Sequence, residues 1–396
     1  MTALPRRRRL RTALVVFAAF ATVVTAVIAG RVGARALGNY TGAKNAASET
    51  PVLALPDTPT AMLATINDAN ELTSVAILVL SKDGQGGSIV PVPISVDASG
   101  TYGDLRQPLY QLYQLGGVDQ LQRELSNVLA LDIRFSAVLT PEGLVQLLSP
   151  VAPIGVDLPT DVSSGDGTTT QVVVPMGQQT LTADDAAAVL LSTVPTLSDR
   201  TRRDNINALW KGFATTIGAG RLDGQLPAVV TTFDELWIRL LAGPLQARGL
   251  LADRIDAAKN PNGLDVELLN IADATLVFAS ISPSAMSSPQ TGQKYRLVAP
   301  PGNEQRVADL IQVIQFLQGN VVSVSFDGPV QVQTDVLLSE RQTVDPESFR
   351  TLLGEVAFPA PTTIIDGVDI TLVLGSSYLN APPTVPAAST TSTSQP

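Results

Sequence analysis

The sequence predicts an α/β chain in which helices are layered on a sheet. Three observations carry this: β-branched runs such as Ser74–Leu80 and Ser88–Val96 that read as core strands, apolar residues at helical spacing between them, and the alternation of the two kinds of segment along most of the chain. Hydrophobic residues make up 45% of the 396 and charged ones 16%, ample apolar material for one large or two ordinary domains.

The elements follow in order. Arg6, Arg7, Arg8, Arg9 and Arg11 precede an uncharged run over Thr12–Gly30, which as a helix is roughly 28 Å long and matches a bilayer core. The arginine asymmetry predicts residues 1–11 as a cytoplasmic tail, 12–30 as a transmembrane helix and the bulk as extracytoplasmic: a single-pass cell-membrane protein. A cleaved signal peptide, with Ala34-Arg35-Ala36 as its cleavage site, is the other reading of the same stretch. Residues 31–68, ending in a Pro-rich part with Pro51, Pro56 and Pro59, read as a linker, and the fold is expected to start near Leu72.

A hairpin over 74–96 turns at Lys82–Gly87, and a helix over Val118–Leu129 leads to a strand at Ile133–Leu139. A helix over Pro141–Leu148 and an extended Gly155–Pro159 come next, with 160–170 as loop and a short strand at Val172–Pro175. Thr182 caps a helix to Ser192, with Asp184 and Asp185 in its first turn. A longer helix starts near Ser198, its stripe of Ile206, Leu209, Trp210, Phe213 and Ile217 ended by Gly218 and Gly220. Helical patterning is read over Phe233–Lys259. The Ser/Pro/Gly-rich stretch 282–293 is the best internal boundary, so 69–290 and 294–379 are expected as two domains. The second reads strand 295–299, helix 303–318, strand 320–326, a segment near 330–340, helix 346–354 and strand 369–374. Residues 380–396 are expected to be disordered.

Composition excludes several chemistries. With no cysteine and no histidine there is no thiol or imidazole catalysis, no Ser-His-Asp triad and no zinc site of the usual ligand sets. A formal charge of −10 argues against a nucleic-acid partner.

Motifs then point to a family. The stretch Leu105-Arg-Gln-Pro-Leu-Tyr-Gln-Leu-Tyr-Gln-Leu-Gly-Gly117, the segment Gly155-Val-Asp-Leu-Pro159, the run Gln178-Gln-Thr-Leu-Thr-Ala-Asp-Asp-Ala-Ala-Ala-Val-Leu190 and the cluster Asp199-Arg-Thr-Arg-Arg-Asp-Asn205 together resemble the LytR-CpsA-Psr (LCP) family over about 70–300. Arg296-Leu-Val-Ala-Pro-Pro-Gly-Asn303 and Val368-Asp-Ile-Thr-Leu-Val-Leu-Gly-Ser-Ser-Tyr378 are similar to that family's C-terminal companion domain. The resemblance implies an LCP-like central mixed sheet, a place in cell-wall glycopolymer assembly, and a polyprenyl-pyrophosphate-linked glycan as partner, alongside the membrane. It implies arginines on the pyrophosphate, and magnesium only if the chain is active. Arginine suits the role because its planar fork meets phosphate oxygens bidentately.

This chain departs from the family pattern in two places. Pro93-Ile94-Ser95 stands where the family has Pro-Arg-Asp, and Leu190-Leu-Ser-Thr-Val-Pro195 where a helix ends in Arg-x-Arg. Phosphate-binding candidates that remain are Arg200, Arg202, Arg203 and Arg106. On a helical wheel Arg202 lies about 36° and Arg203 about 64° from the apolar stripe, with Arg200 on the far side. Arg202 and Arg203 are expected to flank a cavity mouth with no carboxylate pair opposite, and the bland alternative is a solvated helix start. Tyr110 and Tyr113 are the lipid-pocket candidates, with core packing as the other reading. Asp97 and Asp104 are weak metal candidates, better read as turn residues; no metal site is assigned. Two functions stay open: a catalytically degenerate binding protein, or an active divergent phosphotransferase.

Overall fold

The computed structural model describes residues 50–98, 105–165, 168–194, 198–221, 226–255, 260, 262–287, 291–339 and 344–382. The sequence-predicted transmembrane span 12–30, its flanks and the tail beyond 382 lie outside them. The single-pass membrane placement is withdrawn: among the described residues no helix is long and apolar enough to cross a membrane. A small unit is described through residues 50–53 and 361–364, where the Ile364 amide donates to the Pro51 carbonyl at 2.9 Å.

The larger unit contains two mixed five-stranded sheets with helices packed on them. The first runs, edge to edge, Leu245–Ala247, Gly87–Val92, Leu72–Leu80, Thr60–Ile66 and Phe135–Leu139, antiparallel in the middle and parallel at both outer pairs. Strand residues alternate between faces, and both faces are covered, which is why Ser74–Leu80 is a continuous apolar run rather than an alternating one. Ala61, Leu63, Ala76, Leu78 and Ile89 point into a core with helices Pro141–Leu148, Ala183–Leu191, Asp199–Ile217 and Phe233–Leu241. Met62, Ala64, Val75, Ile77, Val79, Val90 and Val92 point the other way, against helices Leu109–Leu129 and Ile271–Ile281.

The helix Asp199–Ile217 follows its predicted stripe: Ile206, Leu209, Trp210, Phe213 and Ile217 are all buried. Trp210 meets Phe213 edge to face at 5.5 Å, and Phe213 meets Trp237 at 5.6 Å. Gly212 lets this helix lie directly on the strand Ile154–Leu158, since a Cβ there would come within 2.4 Å of the Gly155 carbonyl. Caps follow the sequence signals as well, with the Thr182 hydroxyl accepting from the Asp185 amide and the Asp185 carboxylate closing a capping box.

The second sheet runs Asn320–Ser325, Lys294–Val298, Ile370–Val373, Thr334–Leu338 and Val356–Ala357. Helix Glu304–Phe316 buries Val307, Leu310, Ile311 and Ile314 in its core. Helix Ile271–Ile281 serves both cores, sending Ala274, Val277 and Phe278 into the first and Leu276 and Ala279 into the second.

Three sequence expectations are corrected here. The fold begins before Leu72, because Thr60–Ile66 is an interior strand whose apolar residues sit between prolines and a turn. The predicted loop 160–170 contains the strand Val162–Gly165, paired with Thr170–Val174. Helical patterning over 233–259 stops at Leu241, where Gly243-Pro244 breaks it before strands Leu245–Ala247 and Ala252–Arg254. The helix read over Val118–Leu129 is present, and the helix from Leu109 that carries Tyr110 and Tyr113 meets it across a kink at Gly117, whose φ of 65° and ψ of −155° suit glycine.

Candidate functional site

The site is built where the strand Gly87–Val92 ends. Residues 94–98 are clamped between two segments: Leu109 and Tyr110 amides donate to the Val96 and Ile94 carbonyls, and the Glu267 amide donates to the Ser95 carbonyl at 2.9 Å. The first turn of helix Asp199–Ile217 faces this strip, its stripe fixing which arginines turn inward. Arg202 and Arg203 are mostly buried, and Arg200 is exposed. The wheel therefore orders the three correctly.

Each inward arginine meets internal acceptors. Arg202 Nη1 donates to Asp199 Oδ1 at 3.2 Å, and its Nη2 donates to the carbonyls of Thr73 and Leu190 at 3.0 and 3.1 Å. Arg203 Nη1 reaches both carboxylate oxygens of Glu267 at 3.2 Å. The Ser95 hydroxyl, fully buried, donates to Glu267 Oε2 at 2.7 Å and lies 3.3 Å from Asp199 Oδ2. A second carboxylate, Asp265, accepts from the Ser198 hydroxyl at 2.9 Å and from the Asp199 amide at 2.9 Å, where the helix N-terminus favours negative charge. The expectation that no carboxylates would face Arg202 and Arg203 is overturned: Asp199 and Glu267 do.

The electrostatics follow from this crowding. Burial pushes the Asp199 carboxyl above its usual range; Arg202 pulls it back, Asp265 pushes it further up, and the Ser95 hydrogen bonds favour the charged form. Burial likewise lowers Arg202, against the pull of Asp199. Tyr110 is raised, first by burial and then by the Asp265 charge.

The remaining candidates separate. Arg106 donates to Asp97 at 2.6 Å, with its own side chain 33% exposed. Tyr113 is buried beside Leu109, Leu112 and Leu121, its hydroxyl donating to Asn70 Oδ1 at 3.2 Å, while Tyr110 is packed against the same core. Asp104 lies outside the described residues. Among the described residues no cluster of acidic side chains is arranged to hold a metal ion. Magnesium does not fit this donor set, because Asp199 and Glu267 already take up Arg202, Arg203 and Ser95.

Asp265 and Glu267 were not singled out by the sequence reading. Their only local signal is an acidic residue at alternate positions of Asp265-Val266-Glu267, with Glu267 opening a short, otherwise apolar strand Glu267–Leu269. Their partners lie 64 or more residues away, beyond the reach of any spacing rule.

No family model matches the chain, and no curated protein does. Solved structures of LytR-CpsA-Psr proteins are among those it is similar to. B. subtilis TagV is 12% identical over 56% of this chain and 94% of that one, with a TM-score of 0.40. B. subtilis TagT is 14% identical over 56% and 88%, TM-score 0.40. YwtF (TagT), described as a LytR-CPS2A-psr family protein with bound octaprenyl pyrophosphate lipid, is 13% identical over 56% and 87%, TM-score 0.38. Similarity at this level does not carry function from one chain to another.

Proposed function

We propose that this chain acts in cell-wall glycopolymer assembly as a binding protein that holds a polyprenyl-phosphate-linked glycan without transferring it. The observation that carries the proposal is the neutralisation of Arg202 and Arg203 by Asp199 and Glu267. A transferase needs cations free to take up charge developing on a pyrophosphate leaving group. Here both guanidinium groups face carboxylates at 3.2 Å, and Ile94 and Ser95 supply no replacement charge. Displacing Glu267 from Arg203 would leave a carboxylate 2% exposed without its cation, a cost of several kcal/mol that an incoming phosphate would have to offset.

Of the candidate set, Arg200 is the exposed cation with no carboxylate at contact distance among the described residues, Arg106 being held by Asp97 at 2.6 Å, and on this reading Arg200 receives the phosphate. The same reading divides the chain into an LCP-like part over 69–290 and a companion domain over 294–379.

The test is incubation of the purified chain with a polyprenyl-pyrophosphate-linked glycan and magnesium, following lipid binding and lipid phosphate release together. Binding that weakens on Arg200→Ala, with no release, is the expected result. Magnesium-dependent release would overturn the proposal in favour of an active divergent phosphotransferase.

A further inference from the structure

The opposite end of the strand Gly87–Val92 carries a second site, unrelated to the charged cluster. Register places Val79, Ser88 and Gln246 in one row across three adjacent strands, so their side chains share a face of the first sheet. Further along that face Val90 and Val92 lie under the helices, but helix Ile271–Ile281 ends here and leaves the row facing a cavity of about 350 Å³. That volume lies within the ordinary range for small-molecule sites. Pro56, Pro244, Ile281 and Pro283 supply apolar walls, and Lys82 stands at the rim.

The polar groups divide into two sets. Thr58 is bonded to Ser282 and Ser284, Ser280 donates to the Val277 carbonyl, and Ser81 accepts from the Asp83 amide. Ser88 is different: it is 6% exposed, and neither it, Lys82 nor Gln246 has a side-chain hydrogen bond or ion pair among the described residues. A polar side chain at a core-facing register position ordinarily finds a partner, because an unmatched buried hydroxyl is costly. Ser88 instead opens onto the cavity next to Gln246, its register neighbour, and Lys82 lines the same cavity. No acidic residue lines it.

We infer that this cavity binds a small apolar carboxylate. The acid's oxygens take the Lys82 ammonium, the Ser88 hydroxyl and the Gln246 amide, and its hydrocarbon body lies against Val79, Ile281 and the prolines. Charge complementarity selects an anion over a cation, and the apolar walls select an organic acid over inorganic phosphate.

The test uses the full chain and 3-phenylpropionate, its methyl ester and inorganic phosphate as probes, by calorimetric titration. Saturable one-site binding of the acid is expected, with the ester and inorganic phosphate each at least ~10-fold weaker. Lys82→Met should weaken the acid about tenfold, and Ser88→Ala and Gln246→Ala each several-fold. Gln246 is exposed, so its variant reports on the site without disturbing the buried row. Absence of saturation in the millimolar range, an ester that binds as tightly as the acid, or an affinity unmoved by Lys82→Met and Gln246→Ala would each overturn the inference. The readout involves no glycan and no Arg202 or Arg203, so its outcome is separable from that of the glycan experiment.

Discussion

The two ends of one strand, Gly87–Val92, make opposite use of polar side chains. Past its C-terminal end, Ser95 is fully buried and donates to Glu267, and every inward arginine nearby has an internal carboxylate. At its N-terminal end Ser88 is almost as deeply buried, yet its hydroxyl, like the Lys82 ammonium and the Gln246 amide, has no side-chain partner among the described residues. The contrast teaches that burial alone does not mark a binding group. What distinguishes the ends is what the polar groups meet: Arg202 and Arg203 close on carboxylates, with Arg202 Nε left unpaired, whereas Ser88 opens onto a cavity.

Removing Glu267 should break that contrast most strongly. Glu267→Ala leaves Arg203 mostly buried without its carboxylate and Ser95 with only the longer bond to Asp199, and a loss of about 3–5 kcal/mol in urea unfolding is expected. A loss below about 1 kcal/mol would mean that solvent or another group already serves Arg203. Ser95→Ala tests the same network through a neutral partner. It strips one donor from a buried carboxylate and should cost about 1–3 kcal/mol.

A shallower effect lies in acid. Because burial raises Asp199 in the folded chain above its ordinary 3.8, the folded form holds this proton to higher pH than the unfolded one. Its contribution to stability is therefore complete below the ordinary value and is lost as pH rises through the raised folded value. The difference in unfolding free energy between the parent chain and Asp199→Asn, followed across that window, should change in this sense; a difference independent of pH would show that Arg202 fully offsets the burial. The smallest effect is expected at the other end of the strand, where Ser88→Ala should change stability by no more than about 0.5 kcal/mol, since no internal partner is lost. Destabilisation comparable to that of Ser95→Ala would show that Ser88 has a hidden structural bond.

The fold was legible where the chain is periodic. The stripe from Ile206 to Ile217, the Thr182 capping box and the runs 74–80 and 320–325 are set by local spacing, and each appears where that spacing places it. Thr60–Ile66 was hidden by the prolines before it, and the end of the Phe233 helix by apolar residues that continue past Gly243-Pro244 into strands. At the site, the wheel could say that Arg202 and Arg203 turn inward, because that depends on angles within one helix. It could not say what they meet. Glu267 reaches Arg203 across 64 residues through a strand pairing that no local pattern encodes, and the Ser88–Gln246 row depends on a parallel pairing of Leu245–Ala247 with Gly87–Val92.

The account rests on the charge of Arg203 being taken up inside the protein, and a double-mutant cycle on Arg203→Met and Glu267→Gln measures that directly. A coupling energy of about 1.5–3 kcal/mol in urea unfolding is predicted for a buried pair in contact. A coupling below about 0.5 kcal/mol would contradict it, leaving Arg203 a cation free for an external phosphate.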